Sequence, residues 1–412
     1  MASLSEGPAQ ALWQRVPIRA RTVFRAWQNA PVFPKELQIE PTNQCNLKCV
    51  MCPHSVVSPP PRDNMSLEVF DRVLREFDSL TSVFIQGLGE PLLHKNLCEM
   101  IEHAKQRGLE TAFITNMTIV NDSMAERLVR AGHDYIFVSI DSMDPAVVAS
   151  IRRGAPFDVL GRVLDNIERI REVRERLGTT KPVIEVHSIL MQHAVSGLPE
   201  FVRALKAVGV RKVSFQDLVT AGMDPEERLP SGRRFAEEPI SLLPREQQQE
   251  VLTLIQGLSD DEIEVVPPHF LRMLDGPQDH FGGIATCLDL WERPMVRMDG
   301  TVKPCCHSVG DPGLDMGNMR EQSFREIWFG KRFQELRLQH LTNRRRGLCK
   351  DCNELYQVLE PPPSGLARMK AQRLRPYPNT FLGARPFSFG PGIGERAWGF
   401  AVSQLHARRK RT

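Results

Sequence analysis

The chain has 412 residues, with 53 Lys and Arg against 50 Asp and Glu and a net charge of +3. Hydrophobic residues make up 41% and charged residues 25%, the balance of a chain that folds around a sizeable core, which excludes global disorder and fibrous repeats. Its apolar runs, such as 135–138, fall far short of the ~18 residues needed to cross a bilayer, and no secretory apolar stretch opens the sequence, so a cytoplasmic protein with no membrane span is expected.

Residues 1–35 read as a polar, basic extension. From residue 36 onward, strand and helix patterns alternate. Strand-like runs fall at 36–40, 82–86, 110–115, 135–140, 183–191 and 212–218, and helical patterns at 67–77, 97–106, 124–131, 146–177 and 198–208 lie between them. Six βα units predict a parallel sheet with covering helices, two units short of a closed eight-stranded barrel. The expected fold is α/β: a partial (βα)6 barrel over 36–220, with its chemistry at the C-terminal ends of the strands. Residues 221–285 read as a connector with one helix at 245–258, and a small domain of a β-hairpin plus a helix follows at 286–356. The last stretch, 357–412, is a tail rich in Pro, Gly and Arg. From 361 to 412 there are 10 Lys and Arg and a single acid, Glu395, which leaves the other 360 residues at a net −6. No base-stacking motif accompanies this tail, so it reads as a solvated extension and nucleic acid is not an expected partner.

Nine cysteines stand at 45, 49, 52, 98, 287, 305, 306, 349 and 352. Without an export signal, metal ligation is the default reading rather than disulfides. Cys98 lies in a helical pattern and reads as core. The first group, Cys45-Asn-Leu-Lys-Cys49-Val-Met-Cys52, directly follows the first strand. A [4Fe–4S] cube takes four thiolates, so three on one loop hold it and leave one iron open. Zinc, with His54 as fourth ligand, is the alternative, although structural zinc favours paired knuckles. The second group is Cys287, Cys305, Cys349 and Cys352, with a hairpin signal at Asp299-Gly300 inside it. Four protein thiolates complete a cube, with a four-cysteine zinc knuckle as the alternative. Cys306 is a spare, either an alternative ligand or a buried thiol.

The second strand ends in Gln86-Gly87-Leu88-Gly89-Glu90-Pro91. Glycines permit close backbone approach and a carboxylate pairs with an ammonium group; an ordinary strand-to-helix turn is the other reading. Polar residues close the next strands: Thr115 and Asn116, then Ser139, Asp141 and Ser142. Arg152 or Arg153 could grip a carboxylate in a bidentate manner, or be surface arginines. Glu185 and His187, two apart on the fifth strand, share a face, and Gln216 and Asp217 end the sixth. An interior lined by acids, amides and a histidine suits a polar substrate, and each of these is individually also readable as a satisfied core group.

The cysteine triplet after strand one, with the glycine-rich turn after strand two, resembles the radical SAM superfamily over residues 36–218. The resemblance implies that a reduced [4Fe–4S] cluster on Cys45, Cys49 and Cys52 cleaves S-adenosylmethionine (SAM) to methionine and a 5′-deoxyadenosyl radical, which takes hydrogen from the substrate. It implies Gly87, Gly89 and Glu90 at the methionyl amine, and Thr115, Asn116, Ser139 and Arg153 at the ribose and carboxylate of SAM. Leu88 departs from the commoner Gly-Gly-Glu pattern. The second group resembles the SPASM/twitch auxiliary domains, and its four spaced cysteines match the shorter twitch form, with one auxiliary [4Fe–4S] cluster suited to moving electrons. The arrangement looks most like that of aminocyclitol dehydrogenases. An oxidoreductase acting on a small sugar or aminocyclitol in a biosynthetic pathway is therefore expected, with Glu185, His187 or Asp217 as base and a flavodoxin or ferredoxin as electron donor. A ribosomal peptide maturase is the first alternative, though such enzymes usually carry a recognition domain ahead of the barrel. A non-catalytic Fe–S electron carrier is the second.

Overall fold

A computed structural model of the chain describes residues 33–358 except 57–62, 78, 156–157, 219–223, 225, 230–231, 273, 275–283, 288, 342–343, 351 and 353–355. The N-terminal extension to residue 32 and the basic tail from residue 359 lie outside the described residues.

Six parallel strands stand where the periodicity places them: β1 (Glu36–Ile39), β2 (Ser82–Ile85), β3 (Glu110–Thr115), β4 (Tyr135–Ser139), β5 (Val183–Leu190) and β6 (Lys212–Asp217). They pair in sequence order, the commonest arrangement for consecutive elements. The covering helices are α1 (Leu67–Arg75), α2 (Leu97–Gln106), α3 (Asp122–Arg130), α4 (Pro145–Ile151), α5 (Val159–Arg176) and α6 (Leu198–Ala207). Helix α1 shows the local logic. Ser66 caps it by accepting the Val69 N–H at 3.2 Å, and Phe70, Val73 and Leu74 form a buried stripe at helical spacing. Burying each such side chain stabilises by roughly 1.5–3 kcal/mol. The expected single helix over 146–177 is two helices, because Arg152 and Arg153 leave the helical path to pair with Lys48 and Cys49.

The sheet is larger than six strands. In the connector, β7 (Glu264–Val266) adds in parallel to β6. On the other edge, β8 (Met295–Val296) runs parallel to β1 and continues into antiparallel β9 (Thr301–Lys303) and β10 (Gly317–Asn318). The hairpin signalled by Asp299-Gly300 is thus β8–β9, fused to the edge of the open barrel sheet. The order is β10-β9-β8-β1-β2-β3-β4-β5-β6-β7.

Strand alternation sorts the two faces. Leu37 and Ile39, Val83 and Ile85, Val186 and Val213 join the helix-covered hydrophobic core. The opposite face carries Gln38, Glu40, Gln86, Glu185, His187 and Lys212, an unusual density of polar groups for a sheet interior. Among the described residues, no helix is long and apolar enough to cross a membrane.

Candidate active site

The loop leaving β1 carries Cys45, Cys49 and Cys52. Backbone bonds fix its path. Lys48–Cys49 pairs antiparallel with Arg152–Arg153, Val50 N–H donates to Ile151 O at 2.9 Å, and Cys52 N–H donates to Cys49 O at 3.0 Å. All three cysteines are partly exposed; the charge of Cys49 bears on Cys45, and those of Cys49 and Cys45 bear on Cys52. Burial pushes the Cys45 thiol up to about 11 and the Cys52 thiol up to about 12. Cys49 is also raised by burial, against the pull of the Arg152 guanidinium. Three soft donors on one loop are the set that would hold an iron–sulfur cluster, and binding such a cluster would take their protons. His54 Nε2 is engaged with the Asn43 carbonyl at 3.0 Å, which occupies that ring nitrogen.

Behind this loop lies a hydrogen-bonded block. The buried Glu90 carboxylate accepts from Thr115 Oγ1 at 2.7 Å, from Asn116 N–H at 2.8 Å and from Leu92 N–H at 3.1 Å. Asn116 Nδ2 donates to Asn46 Oδ1 at 2.9 Å, and Asn46 Nδ2 donates to Thr118 Oγ1 at 2.8 Å. The ends of β2 and β3 are therefore tied to the cysteine loop. Met117, at φ +57°, makes the turn that aims Asn116 at Asn46, a left-handed conformation costing roughly 1–2 kcal/mol. Gly87 and Gly89 have a definite role. A Cβ on Gly87 would overlap the Glu40 side chain, and one on Gly89 would overlap the Thr42 carbonyl. Both glycines thus pack closely against residues 40–44, between β1 and the first cysteine.

The second group gathers beyond the hairpin. Cys287 is buried, and the charges of Cys305 and Cys352 bear on it; Cys349 bears in turn on Cys305. Burial drives the Cys287 and Cys305 thiols strongly upward, the environment of a thiol that ionises only on binding metal. Cys306 heads a short 3-10 turn, Cys306–Ser308, and stays partly exposed. Cys98 is buried on α2 in the main core.

The model of the Radical SAM superfamily matches residues 39–191, and that of the SPASM iron–sulfur cluster-binding domain matches 287–353. The chain belongs to the radical SAM superfamily. The two domains imply a [4Fe–4S] cluster, an auxiliary iron–sulfur cluster and SAM as cofactors, and the two thiol groups fit them. The chain is similar to the tungsten-containing aldehyde ferredoxin oxidoreductase cofactor-modifying protein of Pyrococcus furiosus, 25% identical over 77% of this chain and 87% of the relative. It is also similar to the PqqA peptide cyclase of Granulibacter bethesdensis, 24% identical over 72% of this chain and 74% of the relative. Among solved structures, Streptococcus suis SuiB bound to the precursor peptide SuiA shares the fold, with a TM-score of 0.58 and 15% identity over 82% of this chain and 73% of that one.

Around this radical SAM loop, the two arginines part company. Arg152 is buried, with Nη2 on Asp141 Oδ2 at 2.6 Å, and its guanidinium also bears on Cys49. Arg153, the residue expected at SAM, is half-exposed and paired with Glu227. Register explains the difference, since neighbours in a strand point to opposite faces. Thr115 and Asn116 are committed to Glu90 and Asn46, and Ser139, at the end of β4, is partly exposed in register with His187.

The polar face begins at Ser139 and His187 and descends to Glu185. Glu185 lies 3.7 Å from Lys212 Nζ, and burial raises its carboxyl despite that lysine. The His187 ring packs on Phe137 with centroids 4.3 Å apart, and burial pushes it down to about 3. Asp217 departs from the expected grouping. It falls on the other side of β6 from Gln216, and its Oδ1 accepts the Ile240 N–H at 3.1 Å, capping a turn of the connector. Sequence reasoning did not single out Asn46, Thr118, Glu40 or Arg297. The signal for Glu40 was present, because Glu36, Gln38 and Glu40 alternate with Leu37 and Ile39 along β1.

Proposed function

We propose that this radical SAM enzyme performs a two-electron oxidation of a polar substrate, such as a sugar or aminocyclitol alcohol, held against the polar face of β4–β6. When bound, the clusters and SAM supply reductive cleavage of SAM, hydrogen-atom abstraction from carbon and an acceptor for the second electron. The chain supplies binding, orientation and a proton acceptor.

The observation that carries this reading is the state of Glu185. Its carboxyl faces the interior and is raised by burial, which brings it toward the working range of a general base. His187 is too weak a base at about 3, so it orients a hydroxyl group rather than deprotonating it. Asp217 is turned away and held by Ile240. On an alcohol, the C–H hydrogen leaves as an atom, the O–H proton passes to Glu185 Oε, one electron departs, and a C=O bond forms. The test is anaerobic incubation with SAM, reductant and a panel of sugars and aminocyclitols. The expected result is a product lighter by two hydrogens with an equal amount of 5′-deoxyadenosine; absence of any such product across the panel would count against it.

A second reading is peptide modification, supported by the likeness to the PqqA peptide cyclase and by the peptide-bound state of the SuiB structure. It predicts that a precursor peptide encoded beside the enzyme binds tightly and gains a new bond on incubation with SAM, whereas the sugar panel stays unchanged.

A further inference from the structure

Three arginines in a row, Arg344-Arg345-Arg346, lead into Cys349. By sequence alone they are a solvated basic run. The fold separates them. Arg344 and Arg346 are exposed, whereas Arg345 is turned inward, and its buried Nη1 has no hydrogen-bond partner among the described residues. His340, in the last turn of the helix Lys331–Leu341, is 2% exposed, and neither of its ring nitrogens has a partner among the described residues. A guanidinium does not shed its proton. A buried donor left unpaired costs about 1–3 kcal/mol, more when charged, and folded proteins rarely leave one without an acceptor.

The surroundings narrow the choice of acceptor. The charge of Arg345 reaches both His340 and Cys349. Two carboxylates also bear on this thiol group, Asp289 at Cys287 and Cys305, and Asp311 at Cys349. Asp289 is already paired with Arg293 at 2.7 Å. Four thiolates around an iron–sulfur core form an anion whose sulfurs accept hydrogen bonds.

We propose that Arg345, assisted by His340, donates hydrogen bonds to the auxiliary cluster and sets its reduction potential. The proposal rests on the reading of Cys287, Cys305, Cys349 and Cys352 as the ligands of that cluster. A fixed cation stabilises the more negative, reduced state, so it raises the potential and favours uptake of an electron. His340, held neutral by burial and by Arg345, adds a hydrogen bond without charge.

The test uses the full chain carrying Cys45→Ala, Cys49→Ala and Cys52→Ala, so that only the auxiliary centre titrates. The protein is reconstituted anaerobically and poised at a series of potentials, with iron counted and the reduced cluster followed by EPR. Adding Arg345→Gln is expected to keep the iron content and lower the midpoint by at least 59 mV, a tenfold change in the one-electron equilibrium. Arg345→Lys, which keeps the charge, is expected to recover more than half of that shift, and His340→Gln to shift it less. An unchanged midpoint in Arg345→Gln at full iron content overturns the proposal, and so does loss of iron in both Arg345 variants, which would make the residue structural. Failure of the ligand reading looks different: the parent itself would hold no iron, and both ideas would fall together.

Discussion

Glu40 and Arg297 form a buried ion pair, with Nε and Oε2 2.7 Å apart, that joins the strand feeding the first cysteine loop to the hairpin of the SPASM domain. Glu40 has no exposure and also accepts the Leu88 N–H at 2.8 Å, so one carboxylate ties β1, the glycine-rich turn and the auxiliary domain together. A parallel link runs one residue pair below, where Gln38 Nε2 donates to the Arg293 carbonyl at 2.8 Å. The two cluster domains are therefore held in register by polar contacts as well as by the β1–β8 pairing.

Removing one member of this pair strands a buried charge. Arg297→Met is expected to cost about 3–5 kcal/mol in urea unfolding. Glu40→Gln combined with Arg297→Met leaves no buried charge and is expected to restore more than half of that loss. Equal stability of the single and double variants would show that the ion pair is not what holds the domains together.

Glu36, at the start of β1, gives the fold a pH dependence. Burial, opposed by Arg293, raises its carboxyl from 4.5 to about 7. Between those values the native state keeps a proton that the unfolded chain has lost, so stability falls as pH rises through this window and levels off above it. The loss should approach about 3 kcal/mol at one pKa unit per 1.36 kcal/mol. Denaturation midpoints at pH 5 and pH 8 should differ accordingly in the wild type, and by much less in Glu36→Gln, which carries no titrating group.

What was legible in the sequence was local. The cysteine triplet lies within eight residues and the six strands announce themselves by period, so both could be placed without a structure. What escaped was long-range or a matter of facing. The Glu40–Arg297 and Gln38–Arg293 contacts span 257 and 255 residues, a separation at which no periodicity carries information. The strand β7 is three residues long, too short for a pattern. Arg152 and Arg153 are indistinguishable in composition, and only the two-residue pairing with Lys48–Cys49 decides which one is buried. Asp217 was grouped with Gln216 by adjacency, although adjacency in a strand puts the two on opposite faces.

Glu90 holds its surroundings before any ligand arrives. Three donors converge on its carboxylate, from Thr115, Asn116 and Leu92. Glu90→Ala leaves them buried and unpaired and is expected to cost about 2–4 kcal/mol in the absence of SAM. Glu90→Gln retains an accepting oxygen and should cost less than half as much. Thermal unfolding of the two variants without SAM separates this structural role from any contact with the methionyl amine, which SAM-binding isotherms would read.

The proton acceptor is the sharpest point to probe on the polar face. Glu185→Gln preserves shape and the approach to Lys212 while removing the base, so turnover to oxidised product should fall by roughly 10²–10⁴-fold. Cleavage of SAM itself should continue, because it needs no proton from this carboxylate, and 5′-deoxyadenosine would then exceed product. Asp217→Asn supplies the contrast. Its amide oxygen still accepts the Ile240 N–H, so turnover should stay within a few-fold of wild type. The reverse pattern, a silent Glu185→Gln and a crippled Asp217→Asn, would move the base from the interior face to the β6–connector junction and would require the substrate to bind there instead.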